Sequence, residues 1–376
     1  MHKAGIYIHI PFCKTKCIYC DFYSITKRED SISRFIECLV KEIKLNKNTL
    51  PNCTFDTIFF GGGTPSVLTA KQIEKILEEL NKNYQLNSNT EITLECNPGE
   101  INYQKLKDFR TIGVNRLSIG FQSFNDKLLK FLGRLHTSQQ SISTYKDAKK
   151  AGFDNINIDL IYDIPKQDLK DWKNDLLIAT QLDPSHISAY SLTVEKNTAL
   201  HSMVKNKSVT MPSDKLDKKM FLETISYLEN KDYIHYEISN FSKLNKECQH
   251  NLHYWKLEPY LAFGPGAHGY DGEKRWWNKK SIDYYMESLE KGKQPIQSQE
   301  ILTNKDSFNE NIMNGLRLIN GFNIEKMDSL ISEDFITYIE SFKNKWPYLH
   351  LNKQKLKLDK KGLLFADEII SDLFLV

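Results

Sequence analysis

The sequence predicts an α/β fold: a partial (β/α)6 barrel of the TIM type, followed by a small C-terminal α+β module. Three observations support this prediction. Short apolar runs alternate with longer segments of helical period through the N-terminal half of the chain. Glycine and polar residues follow the ends of these runs. Towards the C-terminus the pattern changes to several helices and a hairpin.

Six apolar runs have the length and composition of buried strands. They are Ile6–Ile10, Thr57–Phe60, Glu91–Cys96, Arg116–Phe121, Asn155–Tyr162 and His186–Val194. The amphipathic segments between them are Ser31–Leu45, Ala70–Tyr84, Tyr103–Ile112, Asp126–Leu132, Gln139–Ala151 and Lys170–Gln181. This alternation predicts parallel βα units with right-handed crossovers. Because eight units close a full barrel, six units predict an open one with a gap that other residues must cover.

The first predicted strand leads into a loop that contains Cys13, Cys17 and Cys20. This Cys-x3-Cys-x2-Cys spacing lets three thiolates converge on a [4Fe-4S] cluster and leaves one iron without a protein ligand. Two alternatives use the same residues. With His9 they could form a Cys3His zinc site, and Cys17 with Cys20 could form a redox pair. A strand directs His9 away from its neighbours, and a redox pair needs no third cysteine, so the cluster is favoured.

Polar and glycine residues at the strand ends predict a ligand site, because parallel barrels bind ligands at that face. Carboxylates there can accept hydrogen bonds from an ammonium group and from ribose hydroxyls. An arginine can pair with a carboxylate, and glycines allow the backbone to approach a ligand closely. The candidate residues are Tyr7, Tyr19, Gly62, Gly63, Thr64, Glu95, Gln122, Arg134 and Asp159.

Three histidines, His250, His253 and His268, lie among aromatic residues and glycines. Such a composition suits an apolar, flat ligand with an axial imidazole. A packed aromatic lid with hydrogen-bonded core histidines explains the same residues and is favoured on composition alone. Before this segment, Pro212–Lys231 predicts a helix and Tyr233–Phe241 predicts a strand.

A polar stretch near Gln294–Gln299 predicts a domain boundary, which gives a core at 1–240, a histidine-containing connection at 241–298 and a C-terminal domain at 299–376. Helices are predicted at Asp306–Ile319, Ile324–Leu330 and Asp334–Lys343, a hairpin at Leu349–Leu351 and Leu356–Leu358, and a last segment at Gly362–Phe374.

This order of C-terminal elements is typical of a winged-helix module and raises a nucleic-acid alternative. Its basic patch would be Lys343, Lys345, Lys353, Lys355, Lys357, Lys360 and Lys361. Acidic residues interleave with these lysines, which favours a solvated surface instead.

Composition excludes several classes of protein. The formal net charge of 376 residues is only +3, which favours neither a nucleic-acid partner nor an anionic membrane. No apolar run approaches the ~20 residues of a membrane-spanning helix, and the N-terminus does not resemble a signal peptide. Seven cysteines without a pairing pattern predict a reducing, cytoplasmic location.

The cysteine motif, which follows Tyr-Ile-His-Ile-Pro-Phe, resembles the signature of the radical S-adenosylmethionine (SAM) superfamily. Within it, the stretch is similar to the oxygen-independent coproporphyrinogen III oxidases and the related heme chaperones. The resemblance implies the same (β/α)6 core, with SAM chelating the open iron of a cluster held by Cys13, Cys17 and Cys20. It also implies that the nine candidate residues at the strand ends contact SAM.

Two features resemble the heme-chaperone branch. The oxidases carry a further cysteine two residues after the third one, where this chain has Phe22. His250-Asn251-x-x-Tyr254-Trp255 matches a His-Asn-x-x-Tyr-Trp motif of the heme chaperones. The resemblance therefore implies that His250, or alternatively His253, binds heme for transfer to acceptor proteins.

The function predicted on this basis is that of a heme carrier without established catalytic turnover. An electron donor such as a flavodoxin or ferredoxin and a homodimer are compatible with the resemblance. Two alternatives stay open at this point. The first is a coproporphyrinogen III dehydrogenase, a radical SAM oxidoreductase of porphyrin metabolism, and the second is a zinc-stabilised nucleic-acid module.

Overall fold

Six parallel strands form the centre of the main sheet in the computed structural model, which describes residues 2–352 and 354–376. They are β1 (His2–Ile10), β2 (Cys53–Gly62), β3 (Leu86–Cys96), β4 (Arg116–Gln122), β5 (Asn155–Tyr162) and β6 (His186–Ser191). They stand side by side in sequence order, and each pairs in parallel with the next. The predicted α/β core of six parallel strands is confirmed.

Helices connect these strands and bury the apolar side chains that face the sheet. They are α1 (Ile32–Leu45), α2 (Ala70–Asn83), α3 (Tyr103–Thr111), α4 (Asp126–Leu132), α5 (Ser138–Lys150) and α6 (Leu169–Leu182). Their ends agree with the predicted ends to within one residue. Capping boxes explain this agreement at α2 and α5, where Thr69 and Thr137 accept hydrogen bonds from backbone N–H groups three residues on.

Additional strands extend the sheet at both edges to twelve strands among the described residues. Beside β1 lie β9 (Tyr260–Phe263), β10 (His268–Tyr270), β11 (Lys274–Asn278) and β12 (Ile296–Ile301), and beside β6 lie β8 (Asn240–Ser242) and β7 (Ile234–Glu237). The single strand predicted over Tyr233–Phe241 is wrong. The chain reverses at Ile238, whose N–H donates to the carbonyl of Arg317, and two short antiparallel strands result.

Four helices accompany these added strands. They are α7 (Ala199–Lys205), α8 (Asp214–Glu229), α9 (Gln249–Trp255) and α10 (Ile282–Glu290). Ser213 caps α8 by accepting a hydrogen bond from the N–H of Leu216, as predicted. Helix α9 contains the histidine motif and packs against β1 and β2. No helix of the described residues has the length and apolar character required to cross a membrane.

The C-terminal part combines helices with a second small sheet. It contains α11 (Asn304–Gly315), β13 (Phe322–Asn323), α12 (Phe335–Phe342), β14 (Leu349–Leu351), β15 (Lys355–Leu358) and α13 (Ala366–Asp372), with short 3-10 turns at Met327–Ser329 and Gly362–Phe365. The helix predicted over Ile324–Leu330 is wrong, because only the turn at Met327–Ser329 forms there. The hairpin of β14 and β15 is present, and Lys353 of the predicted basic patch lies outside the described residues.

The boundary predicted near Gln294–Gln299 falls within β12, whose residues pair with β11 of the main sheet. The last apolar residues also return to the core, since Ile369 and Leu373 are buried in the same cluster as β1–β6. The division of the chain into three domains stays a prediction.

Candidate functional site

A cavity of about 900 Å³ lies inside the six-stranded core and reaches the loops that follow the strands. Its walls include all twelve residues predicted for the cluster and the SAM site. These are Tyr7, Cys13, Cys17, Tyr19, Cys20, Gly62, Gly63, Thr64, Glu95, Gln122, Arg134 and Asp159. None of His250, His253 and His268 lines it. The structure therefore brings the predicted residues of the strand ends together and places the histidines elsewhere.

The three cysteines of the loop are free thiols and half-buried. Thr64 Oγ1 donates to the sulfur of Cys13 at 3.5 Å, and Arg134 Nη1 donates to that of Cys17 at 3.4 Å. Burial raises the pKa of Cys20 to about 11. Donors directed at sulfur stabilise a thiolate, the form that binds iron. The donor set therefore fits an iron–sulfur cluster.

A mononuclear site that includes His9 fits the structure less well. His9 Nε2 lies 2.8 Å from the carbonyl oxygen of Tyr23, and Nδ1 lies 3.1 Å from the hydroxyl of Tyr7. Both ring nitrogens are thus engaged. No three His, Cys, Asp or Glu side chains of residues 2–352 and 354–376 converge as ligands of a single ion. The ligands of a four-iron cluster bind different irons and need not meet at one point.

The glycines after β2 bring backbone into the cavity where side chains would not fit. Gly62 has φ +110°, and a Cβ atom there would lie 2.5 Å from the ring of His9. A Cβ atom on Gly63 would lie 2.7 Å from the carbonyl oxygen of Phe12. The N–H of Gly62 donates to Glu95 at 3.2 Å. These positions therefore require glycine, and they present peptide groups to the cavity.

Two buried carboxyl groups face the same space. Burial, with a contribution from Asp159, raises the pKa of Glu95 to about 8. Burial also raises the pKa of Asp159, although it accepts hydrogen bonds from Ser118 Oγ at 3.0 Å and from Asn157 Nδ2 at 2.8 Å. Glu95 is therefore largely protonated at neutral pH, and a cationic ligand group beside it would favour its ionised form.

Arg134 and Gln122 complete the side of the cavity near the cysteine loop. Arg134 Nη2 donates to Asn97 at 2.5 Å and to the carbonyl of Gly120 at 2.8 Å, whereas its buried Nε has no partner among the described residues. Gln122 has φ +67°, a conformation that non-glycine residues rarely adopt and that often occurs at functional sites. The hydrogen bonds of Arg134 therefore fix its guanidinium against the end of β4.

His250 lies behind the cavity wall in a polar and aromatic enclosure. Its Nδ1 is 2.8 Å from Thr57 Oγ1, and its Nε2 is 2.8 Å from the hydroxyl of Tyr254. Its ring stacks on Phe59 with 5.1 Å between centroids. Burial lowers the pKa of His250 well below its usual value, so the imidazole is neutral. Tyr254 itself lines the cavity, and its hydroxyl separates the cavity from His250.

His253 lies between two carboxylates. Its Nε2 is 2.7 Å from Asp56, and its Nδ1 is 2.5 Å from Glu258. Burial lowers the pKa of His253, but hydrogen bonds to these carboxylates outweigh burial and raise it to about 9. His253 is therefore an imidazolium at neutral pH and has no lone pair for a metal. His268 is exposed and stacks on Trp277.

Several cavity residues were not predicted. On the inner face of the barrel they include Arg116, Ser118, Asn157, His186 and Ser188. The alternation of side chains along β4–β6 could have identified Ser118, Asn157 and Ser188, because they lie on the same face of the sheet as the predicted site residue Asp159. Arg317, Leu363 and Leu364 reach the cavity from the C-terminal part, and no local pattern identifies them. Phe22 lines the cavity but is 63% exposed.

Comparison with known proteins gives consistent results. Residues 7–177 match the family described as the Radical SAM superfamily. The heme chaperone HemW of Bacillus subtilis is 32% identical over 96% of this chain and 97% of its own length. The heme chaperone HemW of Lactococcus lactis is 33% identical over 98% of this chain and 97% of its own length. Among solved structures, the chain superposes on the coproporphyrinogen III oxidase HemN of Escherichia coli, which is described as a radical SAM enzyme. The TM-score is 0.84 and the sequence identity is 22%, over 99% of this chain and 90% of that chain. At this identity the match supports the fold alone.

Proposed function

Because the chain belongs to the HemW family of heme chaperones, within the radical SAM superfamily, we propose that it binds heme and transfers it to acceptor proteins. One observation carries the proposal beyond family membership. Helix α9, which contains the His-Asn-x-x-Tyr-Trp motif, forms a wall of the cavity that the cysteine loop also borders. Asn251 and Tyr254 line this wall, and His250 lies directly behind Tyr254. A flat ligand in the cavity would have a neutral imidazole one side chain away.

Cys13, Cys17 and Cys20 are assigned as ligands of a [4Fe-4S] cluster. Thr64 and Arg134 support this assignment, because each donates a hydrogen bond to one of the sulfurs. Such a cluster, when bound, supplies one iron without a protein ligand, where a small molecule can exchange. The chain's part is to hold the three thiolates at the edge of the cavity.

The residues at the strand ends are assigned to SAM. Glu95 and Asp159 would accept hydrogen bonds from its ammonium and ribose groups, and Arg134 would pair with its carboxylate. The unpartnered Nε of Arg134 supports the last assignment, since a further acceptor there would complete its hydrogen bonding. The remaining proposed contacts are Tyr7, Tyr19, Gly62, Gly63, Thr64 and Gln122.

His250 is assigned as the heme ligand, with His253 as the alternative. The neutral ring of His250 retains a lone pair, whereas the two carboxylates beside His253 keep that ring protonated. Ligation through Nε2 of His250 requires that the hydroxyl of Tyr254 move away, because the two atoms are hydrogen-bonded. Tyr254 thus acts as the group that heme must displace.

Heme titration of the purified protein tests the assignment. We expect His250→Ala to weaken heme binding by at least tenfold and to change the absorption spectrum of bound heme, because the axial ligand is lost. His253→Ala is the matched variant on the same helix and is expected to retain that spectrum. Unchanged heme affinity in both variants would contradict the choice of ligand. Anaerobic turnover of coproporphyrinogen by the reconstituted protein would favour an oxidase instead.

The acceptor proteins stay unidentified, and the chain is proposed to be a carrier without catalytic turnover. A flavodoxin or ferredoxin as electron donor, a homodimer and the absence of a nucleic-acid partner also belong to the proposal. A cytoplasmic location is supported by the seven cysteines, which are all free thiols. Size-exclusion chromatography with and without the reconstituted cluster tests the homodimer.

A further inference from the structure

The inner end of the cavity contains a buried guanidinium without a counter-charge in contact with it. Arg116 is the first residue of β4, so it lies at the strand starts, away from the cysteine loop. It is 1% exposed and lines the cavity. Its Nε has no hydrogen-bond partner, and it forms no ion pair with a carboxylate in the part of the chain that the structure describes. A buried cation in this situation is costly.

The polar neighbours of Arg116 already satisfy one another. Asn157 donates to Ser118 Oγ at 2.8 Å and has its oxygen 2.6 Å from His186 Nδ1. The other nitrogen of His186 lies 2.8 Å from the hydroxyl of Tyr236. The residues Arg116, Ser118, Asn157 and His186 are called the barrel floor below. Arg116 is the member of this floor whose Nε has no hydrogen-bond partner among the described residues.

The acidic side chains around Arg116 form hydrogen bonds with other groups. Glu91 accepts hydrogen bonds from the N–H of His250 at 3.4 Å and from the thiol of Cys248 at 3.9 Å. Burial lowers the pKa of Arg116, but the field of Cys248, Glu91, Tyr236 and Asp159 outweighs burial and raises it, so the guanidinium keeps its charge. Its buried Nε still lacks a hydrogen-bond acceptor among the described residues.

We propose that Arg116 binds a carboxylate of the ligand that occupies this cavity. This inference rests on the proposed function, under which heme enters the cavity and the carboxylate is one of its propionates. The carboxylate of SAM is assigned to Arg134 beside the cysteine loop, at the other end of the cavity. A guanidinium presents a planar pair of donors that matches a carboxylate, and burial strengthens the resulting pair. The barrel floor would thereby fix the ligand at the end opposite the cysteine loop.

Changes to the ligand and to Arg116 test this inference together. Wild-type protein, Arg116→Met and Arg116→Lys are titrated with heme and with heme dimethyl ester. Lys218→Met is the control, since Lys218 also lines the cavity but its ammonium lies 4.5 Å from the centroid of the Phe365 ring, on the C-terminal side.

We expect Arg116→Met to weaken binding of heme at least about 30-fold. Heme dimethyl ester should bind wild type and Arg116→Met within about twofold, because the partner group is already absent. Arg116→Lys should lose less heme affinity than Arg116→Met, since it keeps the charge. Lys218→Met should leave the difference between heme and its dimethyl ester unchanged.

Two results would overturn the inference: equal heme affinity of wild type and Arg116→Met, or an equal loss of affinity for heme and for its dimethyl ester. If Arg116→Met does not fold, as judged by circular dichroism, the same comparison is made with Arg116→Lys. Failure of wild type to bind heme would refute the proposed function and the inference with it, whereas heme binding that does not depend on Arg116 would refute the inference alone.

Discussion

The charge of His253 provides a quantitative prediction about stability. Its pKa rises from 6.5 to about 9 in the fold, because Asp56 and Glu258 outweigh the effect of burial. At about 1.36 kcal/mol per pKa unit, this difference corresponds to roughly 3 kcal/mol of folding free energy. Because the folded-state pKa is raised, the contribution is fully present below about pH 6.5 and disappears as the pH rises through about 9.

Urea unfolding of the cofactor-free protein at pH 6, 8 and 10 measures this contribution. We predict that wild type loses about 3 kcal/mol more stability between pH 6 and pH 10 than His253→Gln does. His268→Gln is the control, because His268 is exposed and its pKa is lowered rather than raised. It should follow the wild-type profile within about 0.5 kcal/mol. Parallel pH profiles for wild type and His253→Gln would refute the reasoning.

The same charge separates the two candidate heme ligands. If His253 bound the iron, heme affinity would increase as the pH rises through about 9, because protonation competes with ligation. The pKa of His250 is lowered by burial, so its ring is neutral across this range. A heme affinity that stays constant from pH 7 to pH 9 therefore supports His250.

Three further predictions concern the cavity. Replacing Cys13, Cys17 or Cys20 by alanine should abolish the iron content of the reconstituted protein, whereas the buried Cys96→Ala should retain it, as iron and sulfide analysis will test. Tyr254→Phe should increase heme affinity about fivefold in a titration, because a hydrogen bond of about 1 kcal/mol no longer engages Nε2 of His250. Unchanged or weaker heme binding would contradict this expectation. Glu95→Gln should weaken SAM binding about tenfold by equilibrium dialysis, and equal binding would remove Glu95 from the site.

The helices of the core were predictable because their ends are encoded locally. Thr69 and Thr137 each precede a helical pattern and stand three residues before a glutamine, the arrangement of a capping box. Strand starts were less predictable. β3 begins at Leu86, five residues before the predicted start, because polar residues from 87 to 90 extend it without an apolar pattern. Backbone pairing with β2, rather than side-chain burial, defines that end.

The reversal at Ile238 illustrates what local patterns miss. No glycine or proline marks the turn, and the alternation over Tyr233–Phe241 is that of one strand. The carbonyl of Arg317, far along the chain, accepts the hydrogen bond from the N–H of Ile238 that stabilises the turn. The same limit applies to the histidines. Thr57 and Asp56, which hold His250 and His253, lie on β2, and nothing near α9 indicates these partners.

The residues proposed for the cluster and SAM could be expected to meet in one cavity for a topological reason: parallel strands in sequence order end at one face, so residues after different strands come together. The relation between this site and the histidine motif follows only from the structure. Tyr7 lines the cavity, and its ring stacks on His250 with 6.3 Å between centroids. A ligand that moves Tyr7 therefore also moves a wall of the His250 enclosure. Heme affinity measured with and without SAM is consequently the measurement that would reveal whether the two proposed sites act as one.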